Sequence, residues 1–325
     1  MQRRDFIGLI AGAAAWPLAA LAQQPDRVAR LGVLMTSRVN AQSRMDAIQL
    51  GLQKLGWIEG RNIRIEYRWA VGDIAEMRAL AKELVNTQPD ILIVHSSIAV
   101  QAVMRETGAI PIVFVHVADP VGQGFVTSAA RPGGNVTGFS NFEASMGSKW
   151  LALLKEIAPN SSRVALVANP DTTPYTTFFR AVEPGARRLG VELVPATVRN
   201  MTDLENAVRM QGREPNGALI LLPDGFISTH REQVITLVAH YRLPAIYSVR
   251  FFGTSGGLIS YGVDPEEPFG LVPAYISRIL TGERPGDLPV QAPTKFELVV
   301  NIKTANALGL TLPPTLQASA DEVIE

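Results

Sequence analysis

Residues 110–141 read IPIVFVHVADPVGQGFVTSAARPGGNVTGFSN. The apolar, β-branched run Pro111–Val117 has the composition of a buried strand. It stops at Asp119-Pro120, where polar and turn residues begin. Gly122–Ala130 reads as one or two helical turns, Pro132-Gly133-Gly134 breaks the chain, and Asn135–Phe139 is a short strand. In a parallel α/β sheet, ligands bind outside the carboxyl ends of the strands. Asp119 therefore falls on a ligand-facing rim. The motif of two glycines followed by a strand returns at Gly256-Gly257, in GGLISYG.

Upstream of that stretch, Leu31–Met35 is a β-rich run ending in Thr36-Ser37. Met45, Ile48, Leu52 and Leu55 lie at helical spacing, and Gly56 ends that helix. Ile63, Ile65 and Tyr67 alternate with charged residues, the period of a half-exposed strand. Met77, Leu80, Ala81 and Leu84 mark a second helix. Asp90–His95 is a third strand, and Ser96-Ser97 begin a third helix reaching about Thr107.

Downstream the same order repeats. Strands fall at Arg163–Ala168, Val191–Val194, Ala218–Leu222, Pro244–Val249 and Leu258–Ser260. Between them lie helical stripes such as Phe178, Val182, Ala186 and Leu189. Pro111 and Pro244 each open a fourth strand, and the two Gly-Gly pairs each precede a fifth. Strands alternating with amphipathic helices indicate parallel sheets with right-handed crossovers. The fold class is α/β, with two Rossmann-like lobes.

The tail adds no third domain. Phe269, Val272, Ile276 and Leu280 form a helix, Pro285–Pro293 is a proline-rich link, Phe296–Val300 is a strand and Thr304–Leu308 a short helix. This order suits a chain that returns to the first lobe and crosses back to the second. A three-strand hinge is expected at about 138–141, 260–263 and 290–294. The lobes then comprise residues 28–138 with 262–289, and 139–261 with 290–325.

A length of 325 residues fits about two domains at roughly 150 residues each. The 30 basic and 30 acidic residues cancel, so net charge draws the chain to neither nucleic acid nor an anionic membrane. With no cysteine there are no disulfides, thiol chemistry, cysteine–zinc sites or lipoprotein anchor. Residues 1–22 read as an export signal. Arg3-Arg4-Asp5-Phe6-Ile7 is twin-arginine-like, and an ordinary secretory signal with two adjacent arginines is the alternative. Phe6–Trp16 is an apolar run too short to span a bilayer, and Ala20-Leu21-Ala22 is a small-x-small cleavage site. The expected location is the periplasm, after cleavage behind Ala22.

YRWAVGD from Tyr67, IPIVFVHVADPVGQG from Ile110, RPGGNVTGFS from Arg131, SYGVD from Ser260 and PTKFELVVNIKTANALGLTLPPTLQASADEVIE from Pro293 carry a resemblance over essentially the whole chain after residue 22. Together they resemble the extracytoplasmic substrate-binding proteins of ABC transporters, in the group that includes tryptophan- and phenylalanine-binding members. The resemblance implies the periplasmic binding protein type 1 fold, capture of a small-molecule solute between two lobes, and delivery to an ABC permease with its ATPase. It implies a monomer, no cofactor and no catalysis. The chain departs from amino-acid-binding members at Asn169-Pro170-Asp171-Thr172-Thr173, at Asp224-Gly225-Phe226, and at His95 and His116.

Candidate ligand contacts lie at strand ends. On the first lobe these are Thr36, Ser37, Ser96, Ser97 and Asp119. Hydroxyls at a helix start suit a carboxylate alongside free N–H groups, and they equally suit a plain cap. Asp119 would accept from a ligand amine or hydroxyl, or cap its own turn. On the second lobe the candidates are Asn169, Thr173, Tyr175, Asp224, Phe226, Ser248 and Phe251, with Tyr261 on the hinge. The aromatics would stack on a flat ligand or fill the core. His95, His116 and Asp119 are zinc-ligand types without compact ligand spacing, so no metal is expected. The chain has no G-x-S-x-G, H-E-x-x-H or Walker motif. An exported α/β enzyme and the ligand-sensing partner of a receptor remain the alternatives to a transport protein. The favoured solute is an amino acid, or an aromatic compound bearing a carboxylate.

Overall fold

The computed structural model describes residues 28–36, 38, 40–70 and 74–325. The proposed export signal and Ser37 lie outside the described residues. The first sheet is built from β1 (Ala29–Met35), β2 (Ile63–Trp69), β3 (Ile91–His95), β4 (Ile112–Val117) and β5 (Val136–Ser140). Its helices are α1 (Ala41–Lys54), α2 (Ile74–Asn86) and α3 (Ser97–Glu106). The strand order is β2-β1-β3-β4-β5, and every pairing is parallel. β3 is buried along its whole length, which explains why it reads as an unbroken apolar run rather than an alternating one.

The second lobe begins with α4 (Met146–Ile157), β6 (Arg163–Ala168), α5 (Tyr175–Arg188), β7 (Glu192–Thr197), α6 (Met201–Arg213) and β8 (Gly217–Leu221). It continues through α7 (Gly225–Thr229), α8 (Arg231–His240), β9 (Ala245–Tyr247), α9 (Arg250–Thr254) and β10 (Ile259–Gly262). After α10 (Glu267–Leu280) come β11 (Glu297–Asn301), α11 (Ile302–Ala307), α12 (Pro314–Ser319) and β12 (Glu322–Ile324). The order β7-β6-β8-β9-β10 repeats that of the first sheet, so the weak sequence repeat is a repeat of topology. β11 then enters antiparallel to β10, and β12 pairs with it at the edge.

The chain passes between the lobes three times: after β5, after β10, and between Val290 and Phe296. The third passage pairs with the first, since Ser140 N donates to Gln291 O at 2.9 Å and Gln291 N donates to Gly138 O at 2.9 Å. Gly138 has φ +152°, and a Cβ there would sit 2.1 Å from Phe114 O, so only glycine fits where β5 lies against β4. α10 belongs with the first lobe. Its residues Phe269, Val272 and Ile276 are fully buried with Leu31, Val33 and Ile48 in one apolar cluster.

Two local readings differ from the structure. Gly122–Ala130 forms hydrogen-bonded turns, not helix. Gln123 N reaches Asp119 O at 3.0 Å and Phe125 N reaches Pro120 O at 2.9 Å, and then Gly124, at φ +74°, ends the winding. The second difference is α4, which lies between Phe139 and Arg163, where no helix is expected from the sequence. The buried Trp150, Leu151, Leu154 and Ile157 carry its helical spacing.

Trp150 ties α4 to the hinge, because its Nε1–H donates to Tyr261 O at 2.7 Å while the ring is fully buried. Trp150→Phe removes that bond and leaves a cavity. The expected cost is about 2 kcal/mol, measured as a lower urea midpoint at unchanged m-value. An unchanged midpoint would refute this role.

Candidate functional site

In doubly wound sheets of this strand order, ligands bind where the order reverses, outside the carboxyl ends. Here the reversal lies between β1 and β3 in the first lobe and between β6 and β8 in the second. The residues just past those ends are Thr36 and Ser96-Ser97 on one side, and Thr172-Thr173 and Asp224 on the other. All line one cavity of about 180 Å³ between the lobes. Its apolar wall includes Phe142, Val249, Phe251 and Val263.

The first-lobe wall is built on strained backbone. Ser96, which precedes α3, has φ 80° and ψ 157°, a region held almost entirely by glycine. Its Oγ is buried without a hydrogen-bond partner. His116 has φ 61° and sits in a bulge where the register of β4 against β5 shifts between Val115 and Val117. A bulge re-aims the side chain it carries, and this one turns His116 to the cavity. Thr36 Oγ1 lies 2.6 Å from His95 Nδ1, and His95 Nε2 lies 3.1 Å from His116 Nδ1, so the three side chains form one hydrogen-bonded line. Both imidazoles pack on Phe269, with centroids at 6.1 and 5.5 Å. Burial drives the His95 pKa well below its ordinary value, reinforced by His116 and Arg44. Burial and then Arg44 push His116 down to about 3, partly opposed by the Pro265 carbonyl. Both rings are therefore neutral near pH 7.

Arg44 is the buried cation beside them, only 6% exposed. Its Nη2 donates to Glu266 Oε1 at 2.9 Å and its Nε to Oε2 at 3.0 Å. Asn40 Nδ2 donates to Glu266 Oε1 at 3.0 Å. The guanidinium lies 4.8 Å over the Phe269 ring, and Nη1 is left buried without a partner.

On the second lobe, Asp224 organises the rim. Its Oδ1 accepts from Ile227 N at 2.9 Å, capping α7. Its Oδ2 accepts from Thr173 Oγ1 at 2.8 Å, Thr172 Oγ1 at 2.9 Å and Asn169 N at 3.1 Å. One buried carboxylate thus holds the loop after β6 against the loop after β8. Arg231 reaches the cavity from α8, with its guanidinium 5.5 Å over Phe251.

Thr36, Ser96, Ser97, Thr173, Asp224 and Phe251 come together on the cavity; Ser37 is not described. The other residues read from sequence are placed elsewhere. Asp119 Oδ1 accepts from Gly122 N at 2.9 Å, which is its turn-capping alternative. Asn169 Oδ1 accepts from Asp171 N. Tyr175 OH donates to Leu166 O and accepts from Ala196 N inside the lobe. Phe226 packs against His230, Ser248 is buried, and Tyr261 stacks on Phe296. Sequence reasoning passed over Arg44, Glu266, Thr172 and Arg231. Arg44 carried a signal, because it shares the buried face of α1 with Ile48 and Leu52. A charge on an apolar stripe needs a buried partner.

Residues 35–324 match the family described as ABC transporter substrate binding protein. The chain belongs to that family. It is a solute-binding protein of an ABC transporter system, and a binding protein rather than an enzyme. Among the described residues, no group of three or more histidine, cysteine, aspartate or glutamate side chains is placed to hold a metal. This substrate-binding protein is 26% identical over 259 residues to a tyrosine-binding protein of Clostridioides difficile, covering 80% of this chain and 74% of that one. A conserved domain protein from Vibrio cholerae superposes with a TM-score of 0.84 at 28% identity, covering 91% of this chain and all of the other. An ABC domain from Streptococcus pneumonia in complex with L-Trp superposes with a TM-score of 0.83 at 24% identity, also over 91% of this chain and all of the other. Those structures share the two-lobed type 1 periplasmic binding protein fold.

Proposed function

We propose that the protein captures a small organic solute bearing a carboxylate and an apolar or aromatic body. It closes about the hinge and delivers the solute to a membrane permease driven by a separate ATPase. We take the working lobes as residues 28–138 with 262–289 and 139–261 with 290–325. We also propose that the chain acts as a monomer, exported to the periplasm by the signal at 1–22. Thr36, Ser96, Ser97, Thr173 and Phe251 are the ligand contacts in this reading, and Asp224 holds the second-lobe rim in place.

The observation that carries the reading is the interlobe cavity, where hydroxyls and the α3 N-terminus face Phe142 and Phe251. Free N–H groups at a helix start suit an anion, and the rings suit a flat or apolar body. The relatives that carry tyrosine and L-Trp in their descriptions agree with a carboxylate-bearing, ring-containing solute. Thermal unfolding against amino acids, aromatic acids, sugars and nucleosides tests it. A ligand at 100 times its Kd stabilises the folded state by about 2.7 kcal/mol, an easily measured rise in Tm. The expected result is a saturable shift from carboxylate-bearing solutes and none from neutral sugars or nucleosides. A shift from sugars alone, or no shift at all, would sink the proposal.

A further inference from the structure

We infer that the cleft is built for an organic acid that lacks an ammonium group, so that its solute is a carboxylic acid and not an amino acid. This rests on the proposed capture of a carboxylate-bearing solute and narrows its class.

An α-amino acid needs two opposed subsites, donors for its carboxylate and acceptors, normally including a carboxylate, for its ammonium. The donor side is present. Arg44 is over nine-tenths buried, and its Nη1 has no partner. Ser96 Oγ is likewise buried and unpaired on the same cavity. An unpaired buried donor is costly unless a ligand completes it. Ser97 Oγ accepts from Gln123 Nε2 at 2.8 Å, which leaves its own hydroxyl proton to donate.

The carboxylates on the acceptor side are already engaged. Among the described residues, the carboxylates lining the cavity are Asp224 and Glu266. Asp224 receives four hydrogen bonds from its own lobe. Glu266 is held by both Nε and Nη2 of Arg44 and by Asn40. The Asn141 side-chain oxygen accepts from Phe142 N at 2.8 Å. An ammonium entering here would meet no unengaged carboxylate and, among the orphaned side-chain atoms, only the neutral His116 Nε2, whereas a carboxylate would complete two orphaned donors. The second lobe adds Arg231, whose ion pair with Glu232 is a loose 4.0 Å contact. It is a second cation on the cavity wall.

Three probes of matched body test this by calorimetric titration of the protein: 3-phenylpropanoate, L-phenylalanine and 2-phenylethylamine. The expected order is 3-phenylpropanoate at least tenfold tighter than L-phenylalanine, and no binding by the amine. L-phenylalanine binding as tightly as the acid, or any saturable binding of the amine, overturns the inference and leaves solute capture standing. Binding of none of the three, while some other solute raises Tm, also overturns it. Failure of every solute overturns both readings. Arg44→Gln should weaken 3-phenylpropanoate at least tenfold. Because that change also frees Glu266, Ser96→Gly is the companion variant: glycine accepts φ 80° and removes the hydroxymethyl group with its orphaned donor. It should bind the acid several-fold more weakly without a lower Tm. Unchanged affinity in both variants would place the carboxylate elsewhere and overturn the assignment.

Discussion

Asp224→Ala is expected to lower the unfolding free energy by about 3 kcal/mol and to abolish the ligand-induced rise in Tm. The side chain is 6% exposed and accepts four hydrogen bonds, three of them on one oxygen. A hydrogen bond to a charged group contributes about 1.5–3 kcal/mol, and a lost helix cap about 1 kcal/mol. These contributions overlap, because removing one carboxylate orphans all its donors at once, so the total falls below their sum. Asp224→Asn should not rescue it. Both carboxylate oxygens accept, so either orientation of the amide points an NH2 group at a donor. Urea unfolding of the three proteins measures this. An alanine variant within 0.5 kcal/mol of the parent would show that Asp224 does not hold the rim together.

Acidification supplies the second large effect. His116 is held neutral in the fold, with its pKa down to about 3, against about 6.5 in an unfolded chain. Between those values the unfolded state binds the proton and the folded state does not. Stability is therefore complete above about pH 6.5 and falls as pH drops towards 3. At pH 5 the loss from His116 is about 2 kcal/mol, at about 1.4 kcal/mol per pH unit. His95, shifted in the same direction by its own burial, adds to it. Tm measured from pH 8 to pH 5 should fall steeply, above the range where ordinary carboxylates titrate. His116→Asn should flatten that slope, since asparagine tolerates φ 61° and carries no titrating group. An equal slope in the variant would mean that other groups control the response.

The fold was legible because its signals are periodic and local. Unbroken apolar runs marked strands buried on both faces. The prolines before Ile112 and Ala245 marked where the fourth strand of each lobe starts. The site was legible only as far as strand ends show it. Thr36, Ser96 and Thr173 follow from their place after apolar runs. Their partners do not, because Glu266 lies 222 residues from Arg44 and meets it only in the folded chain. Nor can sequence tell a carboxylate that awaits a ligand from one already filled, as at Asp224. The bulge at His116 was invisible for a similar reason. Its residues read as an ordinary strand, and only the register against β5 reveals the extra one.

The route of α10 has a consequence for how the chain becomes a protein. The first sheet is complete by Ser140, yet the helix covering one of its faces is more than a hundred residues downstream. The second lobe waits longer still, for β11 and β12 near the end. As the polypeptide leaves a ribosome or a membrane pore, the face of the first sheet that α2 and α3 cover can pack early, but the face that α10 covers cannot be completed until residue 280 or so has emerged. An N-terminal fragment stopping at the first crossing would expose Leu31, Val33 and Ile48, the surface that Phe269 and Ile276 cover. Vectorial appearance and complete packing are thereby uncoupled.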